Sequence, residues 1–338
     1  MRELGLFYPT GHEQHSAANH PERPERVEAI RKALEVAELW EEEFLLPPIE
    51  VPEKVLKAIH TPGHLQSLKS AADYIDADTY LTAASGPLAF NAAGGGIAIA
   101  DAVWTRQVKR GFALTRPPGH HATPNEAMGF CLLNNIALAA EYLLQKHKAE
   151  RIAIVDIDLH HGNGTQDIFY QRGDVFFCSI HQYPLFPMTG VAAEIGSDQG
   201  EGLTLNIPYP PYAGDFARMT ALEQAVMPAL EAFAPEMLLI SAGFDAHWRD
   251  PLGHQLATAQ GYGEIIDSFT QFADAQCDGR IAIFLEGGYD LEAGAVSALA
   301  ATQAILGLKW DDPLGRGPTS EDEYWKTRLA QVLSYHQD

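Results

Sequence analysis

Ile152-Ala153-Ile154-Val155-Asp156-Ile157-Asp158-Leu159-His160-His161-Gly162-Asn163-Gly164-Thr165 is the stretch on which the reading of the fold turns. Its first four residues form a short apolar run of the kind that fills a buried strand. Its Gly-rich end reads as a turn. Side chains of an extended chain repeat every second residue, so Asp156, Asp158 and His160 are expected on one side as the strand ends. A carboxylate and an imidazole two residues apart suit a divalent transition metal. The competing reading is a polar strand end that caps a neighbouring loop.

Four further apolar runs share this design. Phe112 to Thr115 leads into Arg116-Pro117-Pro118-Gly119-His120-His121, and Val175 to Ile180 into His181-Gln182-Tyr183. Met237 to Ile240 leads into Ser241-Ala242-Gly243-Phe244-Asp245, and Ile281 to Leu285 into Glu286-Gly287-Gly288-Tyr289-Asp290. Helical patterns fall between most of them, over Leu132 to His147, Phe216 to Phe233 and Ala257 to Phe272. Short apolar strands alternating with helices predict an α/β fold, a predominantly parallel sheet with helices on both faces. Ligands of such sheets bind beyond the carboxyl ends of the strands, where all five polar motifs fall.

Upstream, Val27, Ile30, Leu34 and Ala37 share one face of a helix opened by Pro24. Gly86 to Val108 reads as an Ala-rich helix, and its Gly94-Gly95-Gly96 triplet signals close packing rather than a phosphate loop. Ser320 and Glu323 match a capping box before a last helix with Trp325, Leu329 and Val332 as its apolar stripe. No repeat or linker interrupts the 338 residues, which predicts one domain over 1–338.

Hydrophobic content of 46% supplies a large core. A formal net charge of -22 opposes direct binding to nucleic acid and anionic membranes. The three cysteines, Cys131, Cys178 and Cys277, form no CxxC pair and no disulfide framework. With no secretory h-region and no membrane-span pattern, a soluble cytoplasmic protein is expected.

Asp158, His160 and Asp245 are the candidate metal ligands. One imidazole and two carboxylates hold a borderline divalent cation with a position open to water and substrate. Asp245 could instead cap a following helix or pair with Arg249. His120 and His121 diverge as adjacent residues, so each needs its own partner, and a histidine near its normal pKa suits acid–base work. Tyr289 follows two glycines, and its hydroxyl could donate to a developing oxyanion. Phe130 and Phe186, beside Gly129 and Pro187, could line an apolar tube.

Taken together the motifs resemble the zinc-dependent histone deacetylase superfamily, with its arginase–deacetylase fold. The match runs from His20-Pro21-Glu22-Arg23-Pro24-Glu25-Arg26 to Glu286-Gly287-Gly288-Tyr289, and looks like the class II branch and its bacterial deacetylase-like amidohydrolases. The resemblance implies one catalytic zinc on Asp158, His160 and Asp245. It makes His121 the general base and then acid, His120 an electrostatic partner, and Tyr289 a donor to the acyl oxygen. Asp156 would orient His120, and Asn163 would orient His121. Gly129, Phe130, Phe186, Leu252 and Gly288 are expected around an acyl-lysine substrate of a protein or peptide. The family also carries structural potassium. By resemblance Asp156, Asp158, His160, Ser179 and Ile180 would hold one ion, and Phe169, Arg172 and Val175 a second.

Two positions bear on chemistry and substrate. Asn163 is neutral where some branches carry Asp, so His121 is expected to be a neutral base near pH 7. Some members that prefer acetylated polyamines have an acidic residue in an Asp-Pro-Glu-Gly context. Here Asp250-Pro251-Leu252-Gly253 stands, which favours acyl-lysine over acetylpolyamine. An arginase-like two-metal hydrolase needs a second Asp close after Asp245, but Ala246 and His247 follow. A non-hydrolytic acyl-lysine binder is the remaining alternative, opposed by the presence of Tyr289 and every metal ligand.

Overall fold

The computed structural model describes residues 2–69 and 73–336. Its strands are β1 (Arg2–Phe7), β2 (Asp73–Tyr74), β3 (Tyr80–Leu81), β4 (Val108–Ala113), β5 (Ile152–Asp156), β6 (Val175–Gln182), β7 (Thr204–Tyr209), β8 (Met237–Ala242) and β9 (Ile281–Leu285). Seven of them form one parallel sheet in the order β1-β4-β9-β8-β5-β6-β7, and β2 and β3 make a small antiparallel pair. The α-helices are α1 (Glu25–Val36), α2 (Glu53–Ile59), α3 (Pro62–Ser67), α4 (Ser85–Trp104), α5 (Asn135–Tyr142), α6 (Asn163–Phe169), α7 (Asp215–Ala221), α8 (Met227–Phe233), α9 (Ala259–Gln276), α10 (Leu291–Ile305) and α11 (Tyr324–Tyr335).

Both faces of the sheet are covered, as the continuous apolar strands require. Val155, Cys178, Ile207, Ile240 and Ile283 point to one side and pack with α1 and α7 through α11. Ile154, Phe177, Leu239 and Phe284 point to the other and pack with α2, α4, α5 and α6. On that second face Gly94 and Gly95 pack tightly. A Cβ at Gly95 would collide with the Phe7 ring, and one at Gly94 with the Ile49 carbonyl. The glycine triplet is therefore a packing device. Among the described residues no helix is long and apolar enough to cross a membrane.

The connections fix where a ligand can sit. The chain leaves β5 toward β6 on one side and leaves β8 toward β9 on the other. β5 and β8 are neighbours, in register from Ile152↔Met237 to Asp156↔Ser241. Connections that diverge from adjacent parallel strands open a crevice between their carboxyl ends. Asp158 and His160 follow β5, and Asp245 follows β8.

Several expectations need correction. β1 and β7 lie outside the five predicted apolar runs. The Ala-rich helix stops at Trp104, because Val108 is already paired with Arg2 as the first residue of β4. The last helix starts at Tyr324, and the carboxylate of Asp322, not Ser320, accepts from its first amide at 2.9 Å. Trp325, Leu329 and Val332 are buried on it as expected. Ala37 falls just past α1. β6 runs two residues further than expected, so His181 and Gln182 are its last residues rather than following it, and the His181 ring is bonded to Ser179 Oγ and to the carbonyl of Gly190.

Candidate functional site

The chain after β5 is not extended. The Asp156 carboxylate accepts from the amide of Asp158 at 3.0 Å, and the Asp158 carboxylate from the amide of His160 at 2.7 Å. Two successive Asx-type bonds bend the backbone over the sheet edge. They bring Asp158 and His160 round to Asp245, while Asp156 is left facing His120. One donor atom from each of Asp158, His160 and Asp245 lies within 4.8 Å of the others, and all three residues are buried. Nδ1 of His160 is 3.2 Å from Asp158 Oδ1 and 3.1 Å from Asp245 Oδ2. Arg249, the alternative partner for Asp245, pairs instead with Asp290 and Glu292.

This donor set fits a divalent cation. Two buried carboxylates face one imidazole, whose Nδ1 can carry a single proton. Asp158 is drawn below the ordinary carboxylate range: burial opposes its charge, but His120 and His160 outweigh burial. Asp245 is pushed up, first by burial and then by the charge of Asp158. A cation between them relieves both conflicts. Room for it is guarded by glycines, since a Cβ at Gly243 would strike Asp158 and one at Gly287 would strike Asp245. Asp158 also accepts from the Gly287 amide at 2.8 Å, and Asp245 from the Leu159 amide at 2.9 Å. These bonds fix the carboxylates before any ion arrives.

The two histidines after β4 have different partners. His120 Nδ1 is 2.8 Å from Asp156 Oδ2, and His121 Nδ1 is 2.7 Å from Asn163 Oδ1. Burial opposes a charge on His120, but Asp156, Asp158 and Glu286 lift its pKa well above the usual histidine value. His121 moves the other way, lowered by burial and then by His120 and His160. An amide oxygen accepts, so Nδ1 of His121 carries the proton and Nε2 keeps its lone pair. Buried Glu286 supports this loop by accepting from the amides of Gly119 at 2.7 Å and His120 at 3.1 Å.

Tyr289 follows β9. Burial holds its phenol well above the ordinary tyrosine range, so the hydroxyl stays a donor. Arg26 lies with its guanidinium 4.7 Å from the centre of the Tyr289 ring and donates to the carbonyl of Gly288 at 2.6 Å. Arg26 is itself paired with buried Glu22, which also receives Arg116. Burial would raise Glu22, but Arg116 and Arg26 hold it down at about 2. Sequence reasoning assigned no catalytic or metal-binding role to Glu22, Arg26 or Arg116. Their only signal was the two motifs that contain them.

A cleft of about 430 Å³ reaches this floor. His121, His160, Gly129, Phe130, Phe186, Leu252 and Tyr289 line it. Gly288 does not: its carbonyl turns away to Arg26, and the side chain that reaches the cleft is that of Tyr289. His12 and His15 are buried, while His20 lines the lip of the cleft together with Asp78. Of the residues implied for potassium, Asp156 and Ser179 are register partners across β5 and β6, followed by Ile180. Phe169, Arg172 and Val175 occupy a separate segment from the end of α6 to the start of β6, where the Phe169 carbonyl accepts from the Arg172 amide.

The comparison with known proteins agrees with this geometry. The histone deacetylase domain matches residues 20–305, and the chain belongs to that family of deacetylase-type hydrolases. A "Probable deacetylase" of Archaeoglobus fulgidus is 41% identical over 286 residues, covering 83% of this chain and 79% of the relative. "Histone deacetylase 14, chloroplastic" of Arabidopsis thaliana is 38% identical over 314 residues, covering 87% and 74%. A histone deacetylase-like amidohydrolase of Pseudomonas aeruginosa is 35% identical over 299 residues, covering 87% and 79%. The crystal structure of the HDA15 HD domain superposes with a TM-score of 0.89 at 34% identity, covering 99% of this chain and 95% of that one. The α/β architecture expected from the alternating runs is that of the family.

Proposed function

We propose that this protein is a zinc-dependent amidohydrolase that removes acetyl or another short acyl group from lysine side chains of proteins or peptides. One observation carries the reading. His121, His160 and Tyr289 line the floor of a cleft whose walls include the aromatic rings of Phe130 and Phe186. An acyl-lysine is a flexible apolar chain ending in a neutral amide, and this shape and chemistry suit it.

Asp158, His160 and Asp245 would hold the zinc, which when bound polarises the acyl carbonyl and acidifies a water. The chain's own residues do the rest. His121 Nε2 takes a proton from the attacking water, whose oxygen bonds to the acyl carbon. The Tyr289 hydroxyl donates to the acyl oxygen as negative charge develops there. His121 then returns the proton to the lysine nitrogen as the C–N bond breaks, leaving a free amine and a carboxylic acid that loses its remaining proton to solvent. Asn163 fixes the tautomer of His121, and Asp156 balances a positive His120.

Acetylpolyamines are the second reading. Leu252 in the cleft offers no charge to a distal ammonium, but Asp78 lies at the same lip. Turnover of an acetyl-lysine peptide and of N-acetylputrescine, with wild type and Tyr289→Phe, tests both readings. We expect the peptide to be preferred and Tyr289→Phe to lose about 10²-fold or more in kcat. A large preference for the polyamine overturns the substrate class. Full activity in Tyr289→Phe overturns the mechanism.

A further inference from the structure

The peptide unit between Gly288 and Tyr289 is gripped from both ends. Its carbonyl accepts from Arg26 Nε at 2.6 Å. Its amide, on Tyr289, donates to Asp250 Oδ2 at 2.6 Å. The same carboxylate oxygen accepts from the Asp290 amide at 3.2 Å, and Oδ1 accepts from the Leu252 amide at 3.0 Å. Asp250 is 6% exposed, so these three amides are its main solvation.

The surroundings explain why such a clamp is needed. Gly288, three residues past the end of β9, has φ +114, a conformation that favours glycine and lies outside the strand ladder. Tyr289 therefore takes its direction from bonds made by the peptide just before it. That peptide stands next to the start of α10, where Asp290 caps the helix by accepting from the Ala293 amide at 2.8 Å. An anion is favoured at this end of a helix. Leu252 and Tyr289 both line the cleft, so one carboxylate ties together two segments that meet at the substrate.

We infer that Asp250 is a positioning residue for the reaction: it locks the tilt of the Gly288–Tyr289 peptide and so aims the Tyr289 hydroxyl at the acyl oxygen. This rests on the hydrolytic reading proposed above. Asp250 lines neither the cleft nor the Asp158–His160–Asp245 cluster, so its effect on the chemistry runs through Tyr289. A displaced hydroxyl at the end of a long ring loses much of its effect, because misplacement of about 1 Å costs about 10²-fold.

The test is a double-mutant cycle with a structural readout beside it. Asp250→Asn keeps the shape but turns an NH₂ group toward at least one of the three amides. Its kcat on an acetyl-lysine peptide should fall about ten- to a hundredfold, with KM changed less than about threefold and zinc content unchanged. In the Tyr289→Phe background the same change should cost no more than about twofold, since the hydroxyl it aims is already gone. Amide hydrogen exchange should speed up over residues 287–293 and stay slow over β9. Equal losses in both backgrounds, or unchanged exchange over 287–293, overturn the inference. A wild-type chain inert on every acyl-lysine substrate overturns the hydrolytic reading instead, and the exchange result then still decides whether Asp250 holds this peptide.

Discussion

Asn163 shows how one neutral side chain sets the working state of a base. Its oxygen sits 2.7 Å from Nδ1 of His121, and burial has already lowered the pKa of that histidine. An amide directs the proton to Nδ1 without attracting a second one. Asn163→Asp places an anion at the same distance and stabilises the imidazolium. The acidic limb of kcat/KM should then move up by about one pH unit or more, with activity at pH 6 falling more than at pH 8. A pH–rate profile of the two proteins measures this, and superimposable acidic limbs count against His121 as the base. At this scale the site was largely legible, because histidines and carboxylates beside glycines are conspicuous. Glu22, Arg26 and Arg116 were not. Glu22 and Arg26 sit in a Pro-containing segment that reads as a solvated loop, and only the tertiary fold brings Arg116 to Glu22 from 94 positions away.

Secondary-structure elements were legible where one signal dominated. β5, β8 and β9 are fully buried apolar runs and stood out. β7 was hidden because Thr204, Asn206 and Pro208 interrupt its apolar residues, although the whole strand is buried. β1 looked like an ordinary N-terminal segment, and its pairing with β4 depends on residues a hundred positions later. Contacts between elements were less legible still. His60, just after α2, bonds to the Thr123 carbonyl at 3.0 Å through Nδ1 and accepts from the Asn134 amide at 3.0 Å through Nε2. It thereby braces the segment that carries Gly129 and Phe130. Burial, with His64 beside it, lowers its pKa to about 3. The unfolded chain binds that proton near pH 6.5 and the folded chain does not. The brace is therefore fully present above pH 6.5 and is lost as pH falls from there toward 3. His60→Gln keeps a donor and an acceptor but cannot titrate. Urea unfolding at pH 7, 6, 5 and 4 should show a shallower loss of stability for the variant, by up to about 1.4 kcal/mol per pH unit. Parallel profiles would remove His60 from the acid response.

At the scale of the whole molecule, a net charge of -22 is carried by a fold that also buries Asp156, Asp158, Asp245 and Glu286 near one crevice. Surface carboxylates are screened by water and salt, but these are not. Without an ion His120 pairs with Asp156, and His160 faces Asp158 and Asp245; burial opposes a charge on His160, but its bonds to Asp158 and Asp245 lift it to about 10. A proton on His160 is a poor substitute for a divalent cation, since it neutralises one charge where two carboxylates converge. Zinc should therefore stabilise the folded chain as well as activate it. The expected gain is about 4 kcal/mol when the free ion is a thousand times its dissociation constant. In a chain of this size that corresponds to a rise in Tm of roughly six degrees. Stripping with a chelator should lower Tm and abolish turnover together, and one equivalent of zinc should restore both. Asp245→Asn removes one ligand without changing the shape of the site, so its Tm should respond much less to the same treatment. An equal response in wild type and Asp245→Asn would mean that the stabilising ion sits elsewhere. No response in either would mean that the buried carboxylates are balanced by the protein alone.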